Sequence, residues 1–167
     1  MAKVTDLTVI VGTAGTSGVS LTIGVIRVTA ANTTDTARTL GGALCQELVH
    51  RKQRARDPIS FDMAAAAQKA WHASRSQQPS PEEWLAGYFA TVHEFEGHAE
   101  QIAYELWLTD TLAGVAPRKS VNIGTITNSE PLRRIGMRLT PAGTASQVVA
   151  TWFTLFEQKI NEALASW

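Results

Sequence analysis

The segment that most constrains the fold is a helix start near the middle of the chain. In the stretch 80–83, Ser-Pro-Glu-Glu, the serine suits an N-cap, the proline suits the first helical position, and Glu83 completes a capping box. The pattern that follows stays helical to about Leu112, and Gly114 is typical of the residue that ends a helix. These signals predict one long helix over residues 81–112.

A glycine-rich run near the start, residues 12–18, raises the possibility of a phosphate-binding loop. Such a loop must be followed by a helix, whose first amides hold the phosphate. Residues 19–25 instead alternate apolar and small polar side chains with a period of two, which is typical of a strand. The sequence therefore predicts a β-hairpin, with strands at 7–11 and 19–25 and the glycines at its tip.

The remaining pattern predicts further helices and a second hairpin. Helical patterns cover 36–56 and 61–76, with Ser60 as the expected N-cap of the second of these helices. Strands are predicted at 121–127 and 132–139 around a turn, followed by a last helix that starts at Thr140 or Thr144. The order β-β-α-α-α-β-β-α predicts a single α+β domain over residues 1–167, with one four-stranded antiparallel sheet from two hairpins packed against helices.

Composition excludes several classes of function. Fifteen basic and fifteen acidic side chains cancel to a formal net charge of zero, so the chain as a whole has no attraction for nucleic acid. A single cysteine, Cys45, allows no intrachain disulfide. Neither a signal-peptide pattern nor an apolar run of about 20 residues is present, so we expect a cytoplasmic protein with no membrane partner.

The only cluster of titratable residues with catalytic character lies in the predicted long helix, in the stretch VHEFEGHAEQIAYE. His93 and His98 are five residues apart, about 140° around a helix, so they cannot share one metal ion as the His-Glu-x-x-His motif does. Two other sets share a face. They are His93, Glu96 and Glu100, and Glu94 with His98.

Glu96 is the most informative member of this cluster. In a projection at 100° per residue, Glu96 falls within the apolar stripe of the predicted helix, whereas Glu94 and His98 fall outside it. A carboxylate buried without a partner would cost several kcal/mol. One interpretation is a catalytic or metal-binding carboxylate acting with His93 and Glu100. The other is an ion pair with an arginine of residues 51–56, or a place where the stripe opens to solvent or to a partner.

Part of this region also resembles a known family. Residues 69–101, with Gly97 as the reference point, resemble the tryptophan-then-carboxylate helix of all-α MazG-like nucleotide pyrophosphohydrolases, whose Glu-Glu-x-Gly-Glu core binds magnesium. The chain keeps Glu94 but has Phe95 and His98 at two carboxylate positions. The resemblance implies a magnesium-dependent hydrolase, and the departures from the motif exclude an assignment to the family.

Two other segments suggest binding surfaces. Residues 50–56 concentrate basic side chains, including Arg51 and Arg54, which suit a helix C-terminus or a phosphate contact. The last helix carries a wide apolar stripe. If it packs through Val148, Trp152, Leu155 and Ile160, then Phe153 or Trp167 is left for a neighbouring subunit.

These observations predict a non-enzymatic assembly or protein-binding module that binds itself or another protein, with Phe153, Trp167, Arg51 and Arg54 as its binding residues. Nucleic acid is not an expected partner, and no cofactor is expected. The alternative is a hydrolase of nucleotides or phosphoesters that depends on Mg²⁺ or Mn²⁺. Its catalytic residues would be Glu96, Glu100, His93 and Glu94, and Glu96 and Glu100 would bind the metal.

Overall fold

The structure, a computed structural model, describes residues 8–11, 18–20, 25–28, 33–141 and 146–167. Three short strands come first: β1 (Thr8–Val11), β2 (Gly18–Ser20) and β3 (Val25–Val28). β3 lies between the other two, parallel to β1 and antiparallel to β2. The prediction of a hairpin between the first two strands is therefore wrong. Residues 12–17 of the glycine run lie outside the described residues.

From Thr33 onward, all the elements in the described part of the chain are helical. They are α1 (Thr33–Arg56), α2 (Pro58–Ser74), α3 (Pro81–Trp84), a π-helical turn (Leu85–Phe89), α4 (Val92–Leu112), a 3₁₀ turn (Ile123–Thr125), α5 (Glu130–Leu139) and α6 (Gln147–Ser166). The predicted α+β fold with a four-stranded antiparallel sheet is wrong, because the second hairpin does not exist.

Residues 132–139, predicted as a strand, lie in helix α5 instead. Ser129 is its N-cap and its hydroxyl accepts a hydrogen bond from the amide of Leu132, while Pro131 lies in the first turn. The apolar residues Leu132, Ile135 and Leu139 follow the spacing i, i+3, i+7, and together they give α5 a strongly amphipathic character. In a segment this short, Ile135, Met137 and Leu139 also suit a period of two.

The junction between the first two helices differs slightly from the prediction. α1 ends at Arg56, as expected, but α2 begins at Pro58 rather than at residue 61. The N-cap is Asp57, whose carboxylate accepts a hydrogen bond from the amide of Ser60. Ser60 is therefore the donor in this cap and not the capping residue.

The predicted long helix starts as expected but is broken. The capping box at Ser80 and Glu83 is present, and Gly114 adopts a φ of +69° just after the last turn of α4. Between these points, a π-helical turn and two non-helical residues, Ala90 and Thr91, separate α3 from α4. This break resets which residues of α4 face the core.

α4 is the central helix of the described core. One of its faces is apolar and packs against α6, α5 and the π-helical turn. The fully or nearly fully buried side chains on that face are Ala99, Ile102, Ala103 and Leu106. α6 contributes Val149, Trp152, Phe156, Ile160, Ala163 and Leu164. A second face of α4 is covered by α1, and the candidate site lies there.

No helix in the described part of the chain combines the length and the apolar character needed to cross a bilayer.

Candidate functional site

The interface between α1 and α4 is polar, although it is buried. We call it the polar seam. α1 contributes Glu47, His50 and Gln53, and α4 contributes His93, Glu94, His98, Gln101 and Glu105, all with less than 9% of their surface exposed. Glu94, His98, Gln101 and Glu105 follow the spacing i, i+4, i+7, i+11, which places them along one face of the helix. A buried surface of this composition must satisfy its polar atoms internally.

Glycines on both helices allow this close contact. A Cβ atom added to Gly97 of α4 would lie 3.0 Å from the Cγ of Gln46 and 3.0 Å from the Cε1 of His50. A Cβ atom on Gly42 of α1 would lie 3.0 Å from the Cγ of Gln101. The two helices therefore approach each other where one of them carries no side chain, and this brings long polar side chains into mutual reach.

Glu94 lies at the centre of the polar seam. Gln68 donates to its Oε1 at 2.9 Å, and Gln46 donates to its Oε2 at 3.2 Å. His98 Nε2 lies 3.4 Å from Oε2, and His93 Nε2 lies 3.8 Å from Oε1. Burial alone would raise the pKa of Glu94, but the neighbouring imidazoles and the Gln68 amide outweigh it and hold the pKa below its usual value. Glu94 is therefore a buried carboxylate that stays charged.

The histidines beside Glu94 are neutral at physiological pH. Burial lowers the pKa of His98 to about 4, with Glu94 opposing the shift and Arg134 adding to it. The pKa of His93 is lowered as well, chiefly by burial. Among the residues that the structure describes, neither ring nitrogen of His98 has a hydrogen-bond partner, and the same holds for Nδ1 of His93.

Two other carboxyl groups of the polar seam behave in the opposite way. Burial, together with the charge of Glu94, raises the pKa of Glu47 to about 7. Burial also raises the pKa of Glu105 to about 7, against the influence of Ser129 and nearby arginines. These two groups are therefore partly protonated near neutral pH. Within the described ranges, no group of three His, Cys, Asp or Glu side chains is arranged to hold a metal ion.

The residues predicted for the hydrolase alternative do not converge. His93 and Glu94 belong to the polar seam, whereas Glu96 and Glu100 line an open cavity of about 360 Å³ together with Lys52 of α1. The side-chain contacts of these two pairs lie on different sides of α4. The structure therefore brings the predicted residues together in two pairs and not as a set of four.

Glu96 itself makes polar contacts with α1 and α6. Its Oε2 accepts a hydrogen bond from Gln53 at 2.7 Å and lies 3.9 Å from an Arg56 nitrogen, and its Oε1 lies 3.9 Å from Lys159. Its side chain is 25% exposed. The prediction that Glu96 falls within the apolar stripe is wrong, because the break before Val92 shifts the phase of α4. Glu94 and His98 lie outside that stripe, as predicted, but they are buried on the face that α1 covers.

The other predicted binding residues are distributed over the surface and the core. Arg54 forms an ion pair with Asp62 at 3.1 Å, and Arg51 is exposed on α1. Phe153 is half-buried against Trp152, with ring centroids 5.2 Å apart.

Trp167 packs on the end of α4. It is 44% exposed, and its ring lies 5.6 Å from that of Trp107 and 5.8 Å from that of Tyr104, between centroids. Its exposed surface remains available to a partner, and both of its ring contacts are within the chain.

The exposed apolar surface of α6 is not where the sequence places it. Val148 and Leu155, predicted to pack inward, are 62% and 51% exposed. They border a groove of about 490 Å³ between the π-helical turn and α6, which Leu85 and Ala86 also line; we call it the α3–α6 groove. The sequence signal for this surface is the i, i+7 spacing of the two residues, next to the buried stripe that starts at Val149.

A second apolar groove lies beside the first. It has a volume of about 410 Å³ between α2 and the start of α4, and we call it the α2–α4 groove. Phe61, Ala64 and Val92 line it, and Val92 is 65% exposed. Ala90 lines both grooves, so they adjoin at the break between the π-helical turn and α4.

Comparisons with known proteins assign neither a family nor a function to this chain. The chain matches no protein-family model, no curated protein and no solved structure.

Proposed function

We propose that this protein is a non-enzymatic assembly module that self-associates through the α2–α4 groove and the α3–α6 groove. The observation that carries the proposal is the exposure of three large apolar side chains, Val92, Val148 and Leu155, around two grooves that adjoin at Ala90. Contiguous apolar surface of this kind is uncommon on a monomer and usually marks an interface.

The shape of the surface suits a second copy of the chain. The floor contains small residues, Ala64, Ala86 and Ala90, and the rim carries Val148 and Leu155. A two-fold axis near Ala90 would set the α2–α4 groove of one copy against the α3–α6 groove of the other, with the rim side chains filling the facing groove. Such an isologous contact is the commonest arrangement in homo-oligomers.

Charge also favours self-association over a strongly charged partner. The formal net charge is zero, with a sequence pI of about 6.9, so two copies meet without net repulsion near neutral pH. The lining of the two grooves is largely apolar, with Arg56, Asp57 and Glu82 at the edges. An apolar interface with polar edges is the usual organisation of a protein–protein contact.

The hydrolase alternative has less support from the geometry. It requires Glu96, Glu100, His93 and Glu94 to act on one substrate, and these residues face two different surroundings. The charged carboxylate of Glu94 is enclosed by glutamine and histidine side chains rather than open to a ligand.

The proposal is tested by the molar mass in solution, measured by light scattering over a concentration series from low to high micromolar. We expect the wild-type chain to form a dimer or a larger oligomer, and we expect Leu155→Ser and Val148→Ser to lower the molar mass. Met137→Ser is the matched control, because Met137 is 66% exposed on α5 and lines neither groove.

Two results would contradict the proposal. A wild-type protein that stays monomeric at high micromolar concentration excludes self-association. An oligomer that Leu155→Ser and Val148→Ser leave intact excludes these grooves as the interface. The same measurement with Mg²⁺ or Mn²⁺ added is expected to give an unchanged molar mass.

A further inference from the structure

Two arginines lie over one indole ring on a different part of the surface, and a third arginine lies one helical turn away. Arg138 of α5 lies over Trp84, with its Cζ atom 3.9 Å from the ring centroid. Arg75, which follows the last residue of α2, lies over the same ring at 5.1 Å. Arg134 is one turn before Arg138 on the same face of α5. Two segments that are distant in sequence, the end of α2 and helix α5, thus supply one compact group of cations, which we call the arginine cluster.

The ring at the base of the arginine cluster is held rigidly. Trp84 is only 7% exposed and packs edge-to-face against Trp71, with ring centroids 5.0 Å apart. Gly87 of the π-helical turn allows this arrangement, because a Cβ atom there would lie 2.2 Å from the Trp71 ring. A guanidinium group stacked on an aromatic face keeps the N–H donors along its edge free to bind an oxyanion.

Carboxylates do not neutralise the arginine cluster within the part of the chain that the structure describes. Arg75 donates to the His72 ring and to a backbone carbonyl, and Arg138 makes no ion pair there. Arg134 lies 3.7 Å from Glu130, but both oxygens of that carboxylate already accept from Arg133, at 2.8 Å each. The arginine cluster therefore carries an excess of positive charge.

The pKa of Arg138 reflects the neighbouring charges. Burial lowers this pKa, Tyr88 opposes the shift, and the charges of Arg134 and Arg75 add to it. The pKa of His72 is lowered by burial and by the charges of Arg75 and Arg138. A bound anion would relieve this repulsion.

We propose that Arg75, Arg134 and Arg138 form a binding site for a phosphate group above the Trp84 ring. Planar guanidinium groups that converge from several directions match the tetrahedral oxygens of phosphate, and they bind it through charge-assisted hydrogen bonds. The cluster holds three cations and the formal net charge of the chain is zero, so the ligand is a compact phosphate and not an extended polyanion. The phosphate is either a free anion or part of a nucleotide.

Binding is measured by titration calorimetry of the full chain with inorganic phosphate, pyrophosphate and a nucleoside triphosphate, at low ionic strength. Tryptophan fluorescence is recorded in parallel, because an anion that repositions Arg138 changes the surroundings of Trp84. We expect binding of at least one of these probes, together with a change in emission. Tighter binding of the triphosphate than of pyrophosphate identifies a nucleotide, and equal binding identifies the free anion.

Three variants locate the site. Arg138→Gln and Arg75→Gln should each weaken binding about tenfold or more, because each removes charge-assisted hydrogen bonds. Lys119→Gln is the matched control, because it removes one exposed positive charge between α4 and the 3₁₀ turn, outside the cluster, and it should leave the affinity unchanged. Arg138→Lys keeps the charge but loses the planar fork. It should weaken binding by an intermediate factor, and it replaces Arg138→Gln if circular dichroism shows that Arg138→Gln does not fold.

Two outcomes would overturn the proposal. One is the absence of binding of all three probes to the wild-type chain at millimolar concentration. The other is binding that Lys119→Gln weakens as much as the cluster variants do, since this would indicate a general charge effect. Neither outcome bears on self-association, because none of the three arginines of the cluster lines either groove.

Discussion

The carboxylate of Glu94 lies 3.4 Å from Nε2 of His98, one turn further along α4, and both side chains are buried. The charged form is favoured for Glu94, whereas burial keeps His98 neutral at physiological pH. A charged carboxylate is thus held inside the protein by glutamine amides and neutral imidazoles rather than by a lysine or an arginine. This arrangement makes the stability of the polar seam sensitive to pH.

The pKa of His98 should therefore lie well below the usual 6.5 of a histidine. We expect its imidazole to titrate near pH 4 in an NMR titration of the full chain, and we expect the resonance to be absent in His98→Gln. Since the folded-state pKa is below the usual 6.5, the folded protein binds fewer protons than the unfolded chain between pH 6.5 and pH 4. This group therefore reduces stability as the pH falls through that range. A midpoint at or above 6.5 would contradict a buried, neutral His98.

Glu105 should have the opposite effect. Its pKa in the folded state is about 7, raised from 4.5, so its contribution to stability is complete below pH 4.5 and is lost as the pH rises to 7. Glu105→Gln mimics the protonated form. Relative to wild type, this variant should gain about 1 to 3 kcal/mol in free energy of unfolding between pH 5 and pH 8.5.

Urea denaturation at the two pH values measures this difference. Glu100→Gln is the matched control, because Glu100 lies on the same helix but lines the open cavity instead of the polar seam. If the difference between wild type and Glu105→Gln is the same at both pH values, Glu105 is already ionised at pH 5 and the prediction is wrong.

Gly97→Ala tests the close approach of α1 and α4. The added Cβ atom would lie 3.0 Å from both the Gln46 and the His50 side chains, so these side chains must move by a few tenths of an ångström, and because His50 is buried we expect a cost of about 1 to 3 kcal/mol. Gly136→Ala in α5 is the control, because the nearest atom to its Cβ would be 3.9 Å away. That variant should instead gain about 0.5 to 1 kcal/mol from helix propensity. Thermal and urea unfolding distinguish the two, and a stabilising Gly97→Ala would mean that the helices are further apart.

Phe153→Ser should act on folding rather than on assembly. The ring packs against Trp152 and the apolar core, so its loss should cost about 2 kcal/mol in free energy of unfolding. Leu155→Ser, at an exposed position two residues away, should change the stability of the dilute protein by less than about 0.5 kcal/mol. Equal effects of the two variants on unfolding would show that Leu155 is also part of the core.

Local signals predicted some elements of this protein and misassigned others. The capping box at Ser80 and the helix end at Gly114 were predictable because both depend on hydrogen bonds and backbone angles within a few residues. α5 was misassigned because Ile135, Met137 and Leu139 alternate as in a strand, while Leu132, Ile135 and Leu139 follow the helical period in the same short segment. The segment is a helix, and packing of Ile135 and Leu139 in the core uses the helical period.

The sites depend more strongly on the tertiary structure. The sequence indicates which stretch of α4 carries titratable residues, but the break at Ala90 and Thr91 decides that Glu94 is buried and Glu96 is partly exposed. A single π-helical turn alters the phase of every later residue, and the capping signals do not reveal it.

Three features follow directly from the sequence: the neutral charge balance, the start at Ser80 and the end at Gly114 of the central helical region, and the presence of polar residues in the stretch that forms α4. Two others depend on the packing of the helices: α1 covers those polar residues, and Arg75 and Arg138 meet over Trp84. The two groups differ in the distance along the chain over which the stabilising contacts act. Caps and turns are stabilised by contacts between neighbours in the chain, whereas burial and charge clustering depend on which distant helices pack together.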